Sequence, residues 1–349
     1  MKKNAYTSIV RALSCFLLLS VLASSCLYEE PKLTADGEIG IDPTAVNIMT
    51  NLTLDTSFDL LNINRSTRAT ASNSMHRFMV GVYENSQQVA SQVIYQAIQP
   101  GETSVSIPFT MKLHARNYQF VVWADQVERS DKETYQTFYD ATDMTFILRS
   151  TPYKGNTTRY DAFYGSTPLN LSAYRAQWNV TVPIEVSMTR PMASYNLIAT
   201  DVDKFLKKVK NKEITGKRFT VTVKYNYYMP TGFDAFTGKL KHSLEDIAYS
   251  KTIDLATLQE EENKEEINIG FDYLLINQEG AASIPVTIEI TNESQQVIAR
   301  YHSLRIPYEQ NKETSIRGGF LTTSSGISFD PDFNDDDIII DITPIVKKN

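Results

Sequence analysis

Cysteine is nearly absent from this sequence of 349 residues, which contains only Cys15 and Cys26. Cys15 lies inside an apolar run near the N-terminus, so a chain that loses this run keeps one cysteine. One cysteine cannot form an intramolecular disulfide or build a cysteine-based zinc site. A chain of this length can instead build a hydrophobic core large enough to be stable without disulfides.

The common signatures of catalysis are also missing. The sequence has no glycine-rich phosphate loop and no Gly-x-Ser-x-Gly elbow. Its four histidines lack a ligand or carboxylate partner at metal-site spacing: His76, His114, His242 and His302. We therefore predict no enzyme and no cofactor. A hydrolase with dispersed carboxylates stays an alternative that requires a cleft with two facing acids, because their separation is spatial.

The first 26 residues have the layout of a secretory signal. Lys2, Lys3 and Arg11 precede the apolar run 12–22, and three small residues lead to Cys26. A membrane-spanning helix needs about 20 apolar residues, and this run is about half that length. We therefore expect residues 1–25 to be a signal peptide that is cleaved.

Cys26 indicates which type of secretory signal this is. Ala-Ser-Ser-Cys at 23–26 resembles the lipobox of bacterial lipoproteins, in which the cysteine carries lipid and becomes the first mature residue. The resemblance implies a lasting membrane anchor of two or three lipid chains on Cys26. The alternative is an ordinary cleavage site that leaves a free periplasmic protein with one thiol.

Acidic residues follow the cysteine and outnumber basic residues in the mature chain. Glu29 and Glu30 resemble the signal that sends lipoproteins of some Gram-negative anaerobes to the cell exterior, although acidic residues are also common in solvated tethers. Cleavage removes three of the 34 Lys and Arg residues and none of the 41 Asp and Glu residues, so the mature net charge is near −10. This charge argues against a nucleic-acid partner.

Alternation of apolar and polar residues with a period of two dominates the mature chain. It is clearest over 105–113 and 178–188 and predicts half-buried strands. Similar segments separated by turn residues favour antiparallel β-sandwiches; they lie at 78–82, 118–124, 219–227, 284–290, 297–306 and 338–342. One helix is predicted near 201–210, with Thr200 or Asp201 as its cap and an end near Asn211.

The mature length of 324 residues, 349 less 25, favours two domains. We expect a tether at 26–43, an N-terminal β-sandwich at 44–190 and a C-terminal β-sandwich at 191–349, divided at the turn Arg190-Pro191. The glutamate-rich run 258–267 is interpreted as a solvated loop or helix face.

Two other clusters each have two interpretations. The acidic segment 330–337 resembles part of a calcium loop, but it lacks the glycine at the turn and the final glutamate, so an acidic turn is the alternative. Its candidate ligands are Asp330, Asp332, Asn334 and Asp336. The aromatic residues between 225 and 236 could line a glycan or protein contact, or they could simply pack in the core.

Four segments of the chain resemble the fimbrillin-like lipoproteins of type V pili in Gram-negative anaerobes, including a branch described only as a domain of unknown function. These segments are 118–125 (YQFVVWAD), 160–165 (YDAFYG), 190–201 (RPMASYNLIATD) and 311–322 (NKETSIRGGFLT). The resemblance implies two transthyretin-like β-sandwiches in series, fixed to the outer membrane by lipid, with other pilus or surface proteins as partners.

In that family, an arginine-specific protease removes an N-terminal strand, and the exposed groove takes a strand from the next subunit. Arg65 and Arg68 lie between the candidate first strand, 45–58, and the strand at Phe78, where such a cut is expected, although arginines are common in loops. The C-terminal segment 338–342 could be the donor strand, or it could close its own sheet. Our leading hypothesis is a non-enzymatic surface protein of this type, and the alternative is a glycan- or ligand-binding lipoprotein that uses exposed aromatics.

Overall fold

The computed structural model describes residues 45–54, 74–97, 104–129, 134–175, 177, 180–260, 266–277, 282–322 and 339–343. Strands dominate these ranges, and the helices are α1 (Val202–Lys210) and α2 (Leu255–Glu260), with 3-10 turns at Thr158–Tyr160 and Ser172–Tyr174. The first ten strands are β1 Ala45–Leu54, β2 Ser74–Glu84, β3 Gln87–Gln96, β4 Ser104–His114, β5 Asn117–Arg129, β6 Tyr135–Thr137, β7 Tyr139–Asp140, β8 Ile147–Arg149, β9 Ala162–Asn170 and β10 Thr181–Met188. The others are β11 Met192–Ala199, β12 Arg218–Tyr225, β13 Met229–Asp234, β14 Lys239–Leu244, β15 Ala248–Asp254, β16 Ile267–Leu275, β17 Ala282–Asn292, β18 Val297–Tyr308, β19 Glu313–Gly318 and β20 Ile339–Thr343.

The first sandwich packs a three-stranded sheet against a larger one. The smaller sheet has the order β10-β1-β4, and the larger has the order β3-β2-β5, with β6 and β9 also paired to β5. Alternating side chains of both sheets form the core between them, as in β10, where every second residue is buried.

Strand β5 is buried on both faces, which explains the nearly continuous apolar run at 118–124. Phe120 and Val122 belong to the core of the first sandwich, whereas Val121 and Trp123 point to a second cluster on the other face of the sheet. A strand covered on both sides has no polar face, so its sequence cannot show the period-two alternation.

The second sandwich packs the sheet β16-β11-β19-β20 against the sheet β15-β12-β17-β18. Helix α1 adds Val202 and Phe205 to its core, and the ring of Phe205 meets that of Phe219 edge-on at 4.9 Å. The charged side of α1 faces solvent, which is the expected arrangement for an amphipathic surface helix.

A fifth sheet joins the parts of the chain before and after residue 190. Its order is β14-β13-β8-β7, and the pairs Gly232–Leu148 and Phe233–Ile147 connect β13 to β8. Beside it lies a buried cluster, which we call the shared core, drawn from both parts of the chain: Tyr83, Val121, Trp123, Phe138, Tyr139, Met144, Ile147, Tyr160, Tyr164, Met192, Phe233, Phe271, Tyr273 and Leu275. The domain division at 190 stays a prediction, and these contacts cross it.

The all-β prediction of two sandwiches with one short helix near 201–210 is confirmed, and the structure adds the six-residue helix α2. The sheets are mainly antiparallel, with parallel pairings of β1 with β10 and of β11 with β19. The prediction that Thr200 or Asp201 caps the amides of the helix is wrong: Asp201 is the N-cap residue, but its carboxylate accepts hydrogen bonds from Leu321 and Thr322. Among the described helices, none is both long and apolar enough to span a membrane.

Candidate functional site

The position of strand β1 is the feature of this fold that most directly suggests a function. β1 lies in the middle of its sheet, parallel to β10 on one side and antiparallel to β4 on the other. The pairing with β10 runs from Asn47–Thr181 to Leu54–Met188 without a break. The pairing with β4 runs from Ala45–His114 to Thr53–Ser104, with a register shift between Met49 and Thr50.

Side chains of β1 also complete the core of the first sandwich. Val46 and Ile48 are both 0% exposed and belong to the same cluster as Ile107 of β4 and Val182 and Ile184 of β10. We call the space that β1 fills between β10 and β4 the first-strand slot. An empty slot would expose two rows of backbone hydrogen-bonding groups and an apolar floor, which is the surface that accepts an added strand.

A buried ion pair fixes the chain beyond the end of β10. The Arg190 guanidinium donates to both carboxylate oxygens of Asp161, at 2.7 and 3.1 Å, and both side chains are 1% exposed. The guanidinium also lies over the ring of Phe163, at 4.5 Å from its centroid. The Arg190 carbonyl accepts a hydrogen bond from Gln310 at 2.8 Å. The β10 wall of the slot is therefore tied at this end to β9 and to the second sandwich.

A second buried ion pair lies on the opposite sheet, where Arg77 of β2 is paired in register with Asp125 of β5. Arg77 donates to both oxygens of Asp125, at 2.9 and 2.5 Å, and to the carbonyl of Tyr139 at 2.9 Å. The indole N–H of Trp123 donates to the same carboxylate. Burial raises the pKa of Asp125, and the contacts with Arg77 and Trp123 oppose that rise.

His76, the residue before Arg77, lies close enough to Asp161 and Arg190 to interact with their charges. Burial lowers the pKa of His76, and the charge of Arg190 lowers it further, whereas that of Asp161 raises it. Its Nδ1 atom is buried without a hydrogen-bond partner. His76 thus fits the predicted isolated strand histidine, in an environment that favours the neutral ring.

The predicted lipidation, export, processing and calcium residues lie outside the described ranges, so their assignments stay predictions. They are Cys26, Glu29, Glu30, Arg65, Arg68, Asp330, Asp332, Asn334 and Asp336. Arg65 and Arg68 belong to the segment that follows β1 and precedes β2, as predicted. The C-terminal strand β20 pairs antiparallel with β19 from Glu313–Thr343 to Arg317–Ile339. It therefore closes its own sheet, in agreement with the second of the two interpretations.

Buried carboxylates in the described ranges are held by structural partners. Asp272 accepts hydrogen bonds from the hydroxyls of Tyr153 and Tyr225 and from the Tyr273 amide, and Arg149 lies close to it. Burial raises the pKa of Asp272, against the opposing effect of Arg149. Across the same ranges, no group of three or more His, Cys, Asp or Glu side chains could hold a metal ion.

The aromatic residues around 225–236 divide between packing and exposure. Tyr225 and Phe233 are buried, and Tyr225 is hydrogen-bonded to Tyr195 at 2.9 Å. Tyr227 and Tyr228, between β12 and β13, are 68% and 63% exposed. The core-packing interpretation thus holds for part of the cluster, and two adjacent tyrosines face solvent.

The sequence analysis missed both buried ion pairs. Their signal is a charged residue within or beside a strongly apolar segment, as with Asp125 after Val-Val-Trp-Ala and Arg190 after β10. Such residues are almost never fully buried without a partner, so each predicts an opposite charge elsewhere in the chain. The partner itself cannot be found from spacing, because Arg77 and Asp125 are 48 positions apart.

The sequence of this chain matches a protein-family model over most of its length. A model described as a family of unknown function, DUF6562, matches residues 43–346. The chain belongs to this family. The match begins two residues before β1 and ends three residues after β20, so the DUF6562 region contains both sandwiches.

No curated protein matches this DUF6562 chain. Three solved structures are distantly similar to it. A candidate cell adhesion protein from Bacteroides ovatus ATCC 8483 has 13% identity and a TM-score of 0.39 over 85% of this chain and 95% of that one. A fimbrial assembly protein from Parabacteroides distasonis ATCC 8503 has 12% identity and a TM-score of 0.35 over 78% and 91%. The fimbrial anchor protein Mfa2 from Porphyromonas gingivalis has 8% identity and a TM-score of 0.37 over 86% and 98%.

Proposed function

We propose that this DUF6562 protein is a lipid-anchored, non-enzymatic subunit or anchor of a surface assembly, and that subunits join through the first-strand slot. In this proposal Cys26 carries the lipid, Glu29 and Glu30 direct the protein to the cell exterior, and a cut at Arg65 or Arg68 frees β1. A strand from a neighbouring subunit then fills the slot.

The central position of β1 carries the proposal. β1 is paired along both edges and contributes the buried side chains of Val46 and Ile48, yet it is the first strand of the family region. One cut in the 55–73 segment would therefore separate from the chain a strand on which the sheet depends. The replacement strand would regain the same main-chain hydrogen bonds and would need apolar residues at alternate positions.

An arginine-specific protease tests the strand exchange. Cutting the purified full-length chain is expected to yield SDS-resistant oligomer ladders, and an excess of a peptide with the sequence of residues 45–58 should suppress them. The matched control is Arg65→Lys/Arg68→Lys, which keeps both charges but removes these two cleavage sites. It should stay monomeric after the same treatment. A wild-type chain that is cut at these arginines and remains monomeric would contradict the proposal.

The anchor is tested separately at Cys26. The wild-type protein should fractionate with the outer membrane, and its mature N-terminal peptide should carry the mass of attached acyl chains. Cys26→Ser cannot be acylated, so it is expected in the soluble fraction. An unmodified thiol on the mature N-terminus would overturn the anchoring without affecting the strand exchange.

A further inference from the structure

Lys251 occupies a core-facing position of strand β15 in the second sandwich. The residues at alternate positions on either side of it, Tyr249 and Ile253, are both buried in the core of that sandwich, whereas the residues between them are exposed. Successive residues of a strand point to opposite faces, so an apolar side chain is the usual occupant of this position. The sequence places a half-buried amine there instead.

The Lys251 amine reaches strand β16, which belongs to the opposite sheet. Its Nζ atom donates to the backbone carbonyl of Asn268 at 2.6 Å and to the side-chain Oδ1 of the same residue at 3.1 Å. Both acceptors are neutral oxygens, so neither contact is an ion pair. Burial lowers the pKa of Lys251 to about 8. A larger share of this amine is therefore neutral, and so nucleophilic, near neutral pH than in an exposed lysine.

A hydrogen bond orients the side-chain carboxamide of Asn268. Its Nδ2 atom donates to Oδ1 of Asn196 in β11 at 3.3 Å. Because a C=O bond is about 1.2 Å long, the Lys251 nitrogen lies at most about 4.3 Å from the Cγ atom of Asn268. Two reacting atoms need a separation of about 3–3.5 Å. A small movement of the lysine side chain therefore brings the amine to the carboxamide carbon.

We propose that Lys251 and Asn268 form an isopeptide bond that links the two sheets of the second sandwich. The Nζ–Cγ bond forms and the Cγ–Nδ2 bond breaks. One proton of Nζ passes to Nδ2, which leaves as ammonia. A neutral amine and a carboxamide thus give a substituted amide and ammonia, so the step needs no oxidant, reductant or other reactant. The fixed contact between the two groups supplies the proximity that such a slow reaction requires.

The bond acts at one open side of the second sandwich. β15 and β16 are the outer strands of their two sheets, so a covalent link between them keeps the sheets from separating at this edge. It also closes a loop between two residues that are 17 positions apart, which restricts the unfolded chain as a disulfide does. The proposal does not rest on the lipid anchor or on strand exchange.

Mass spectrometry tests the bond directly. The purified full-length chain, kept at about pH 9 so that most of the Lys251 amine is neutral, should lose the mass of one ammonia molecule. Trypsin does not cut after an acylated lysine. The digest should therefore contain one species in which peptide 242–264 is joined to peptide 265–300, and fragmentation should place the link between Lys251 and Asn268.

Two variants remove the reacting groups. Lys251→Arg keeps the positive charge without a nucleophilic amine, and Asn268→Ala removes the carboxamide, so both should keep their full mass and give unlinked peptides. The matched control is Lys224→Arg in the neighbouring strand β12. Lys224 is exposed and paired with Asp246, so this variant should lose ammonia like the wild type.

Two results in the wild type would overturn the proposal. One is an unchanged mass after incubation. The other is a loss of ammonia with peptides 242–264 and 265–300 still separate, because a succinimide formed at an asparagine also releases ammonia but links no strands. A loss of ammonia that persists in Lys251→Arg would lead to the same conclusion.

Discussion

At the scale of single residues, three buried aspartates in the described ranges each have a positively charged neighbour. Asp125, Asp161 and Asp272 are at most 1% exposed, and each has an arginine close by. Removing one partner of such a pair costs about 3–5 kcal/mol, because the other charge stays buried and uncompensated. The Arg190–Asp161 pair lies just outside the ends of β10 and β9, and the Arg77–Asp125 pair lies within β2 and β5.

His76 predicts an acid sensitivity of the first sandwich. The pKa of His76 is below 6.5 in the folded protein because of burial, so between pH 6.5 and that lower value the unfolded chain binds a proton that the folded chain does not. The free energy of unfolding should therefore fall as the pH drops below 6.5, by at most about 1.4 kcal/mol per pH unit. His76→Gln should lose less stability over this interval.

Denaturant unfolding of both proteins at pH 7.5 and 5.0 gives the measurement. Asp125 and Asp272 have raised pKa values, so their protonation stabilises the folded protein as the pH falls. Both proteins keep these two residues, so this contribution cancels in the comparison. Equal losses of stability in the two proteins would show that His76 does not titrate in this way.

At the scale of elements, local patterns predicted the strands with clear alternation or a long apolar run and missed strands without either signal. β10 and β12 alternate cleanly and were predicted, whereas β13 is buried at all six positions and contains Pro230 and Gly232. β3 was missed because glutamine and serine interrupt its apolar face. The parallel pairings and the two strands that join the halves depend on distant segments, so no short window of sequence contains them.

Helix α1 shows the same limit, because its start was predicted correctly and its cap was not. The Asp201 carboxylate accepts hydrogen bonds from the Leu321 and Thr322 amides and the Thr322 hydroxyl, which joins the helix to the chain after β19. Asp201→Ala should reduce the free energy of unfolding by about 1.5–3 kcal/mol, as expected for hydrogen bonds to a charged group.

Hydrogen exchange distinguishes this role of Asp201 from a helix cap. Amide exchange in Asp201→Ala should accelerate first at residues 320–322, and less in the first turn of α1. Thr200→Ala, at the other candidate cap and on an exposed position, should stay within about 0.5 kcal/mol of the wild type. Faster exchange confined to the first turn of the helix would restore the capping interpretation.

At the scale of the whole molecule, the shared core makes the two sandwiches depend on each other. Phe233, from the second part of the chain, packs against Tyr164 at 4.8 Å and Trp123 at 6.0 Å between ring centroids. Arg149 donates a hydrogen bond to the carbonyl of Tyr273 at 2.8 Å across the same boundary. An anchored protein that bears load through one sandwich would transmit it to the other through these contacts.

Phe233→Leu should therefore weaken both sandwiches, whereas Phe219→Leu should weaken one. Both phenylalanines are at most 1% exposed, and Phe219 packs only in the core of the second sandwich. Each substitution leaves a cavity that costs about 1–2 kcal/mol, between the costs of a lost methyl group and a lost ring.

For Phe233→Leu, hydrogen exchange should accelerate in β5 and in β11 alike, because both strands border the shared core. For Phe219→Leu it should accelerate in β12 and β17 and leave β5 unchanged. A Phe233→Leu protein in which only one sandwich loses protection would show that the halves fold independently, and the division at residue 190 would then mark two autonomous domains.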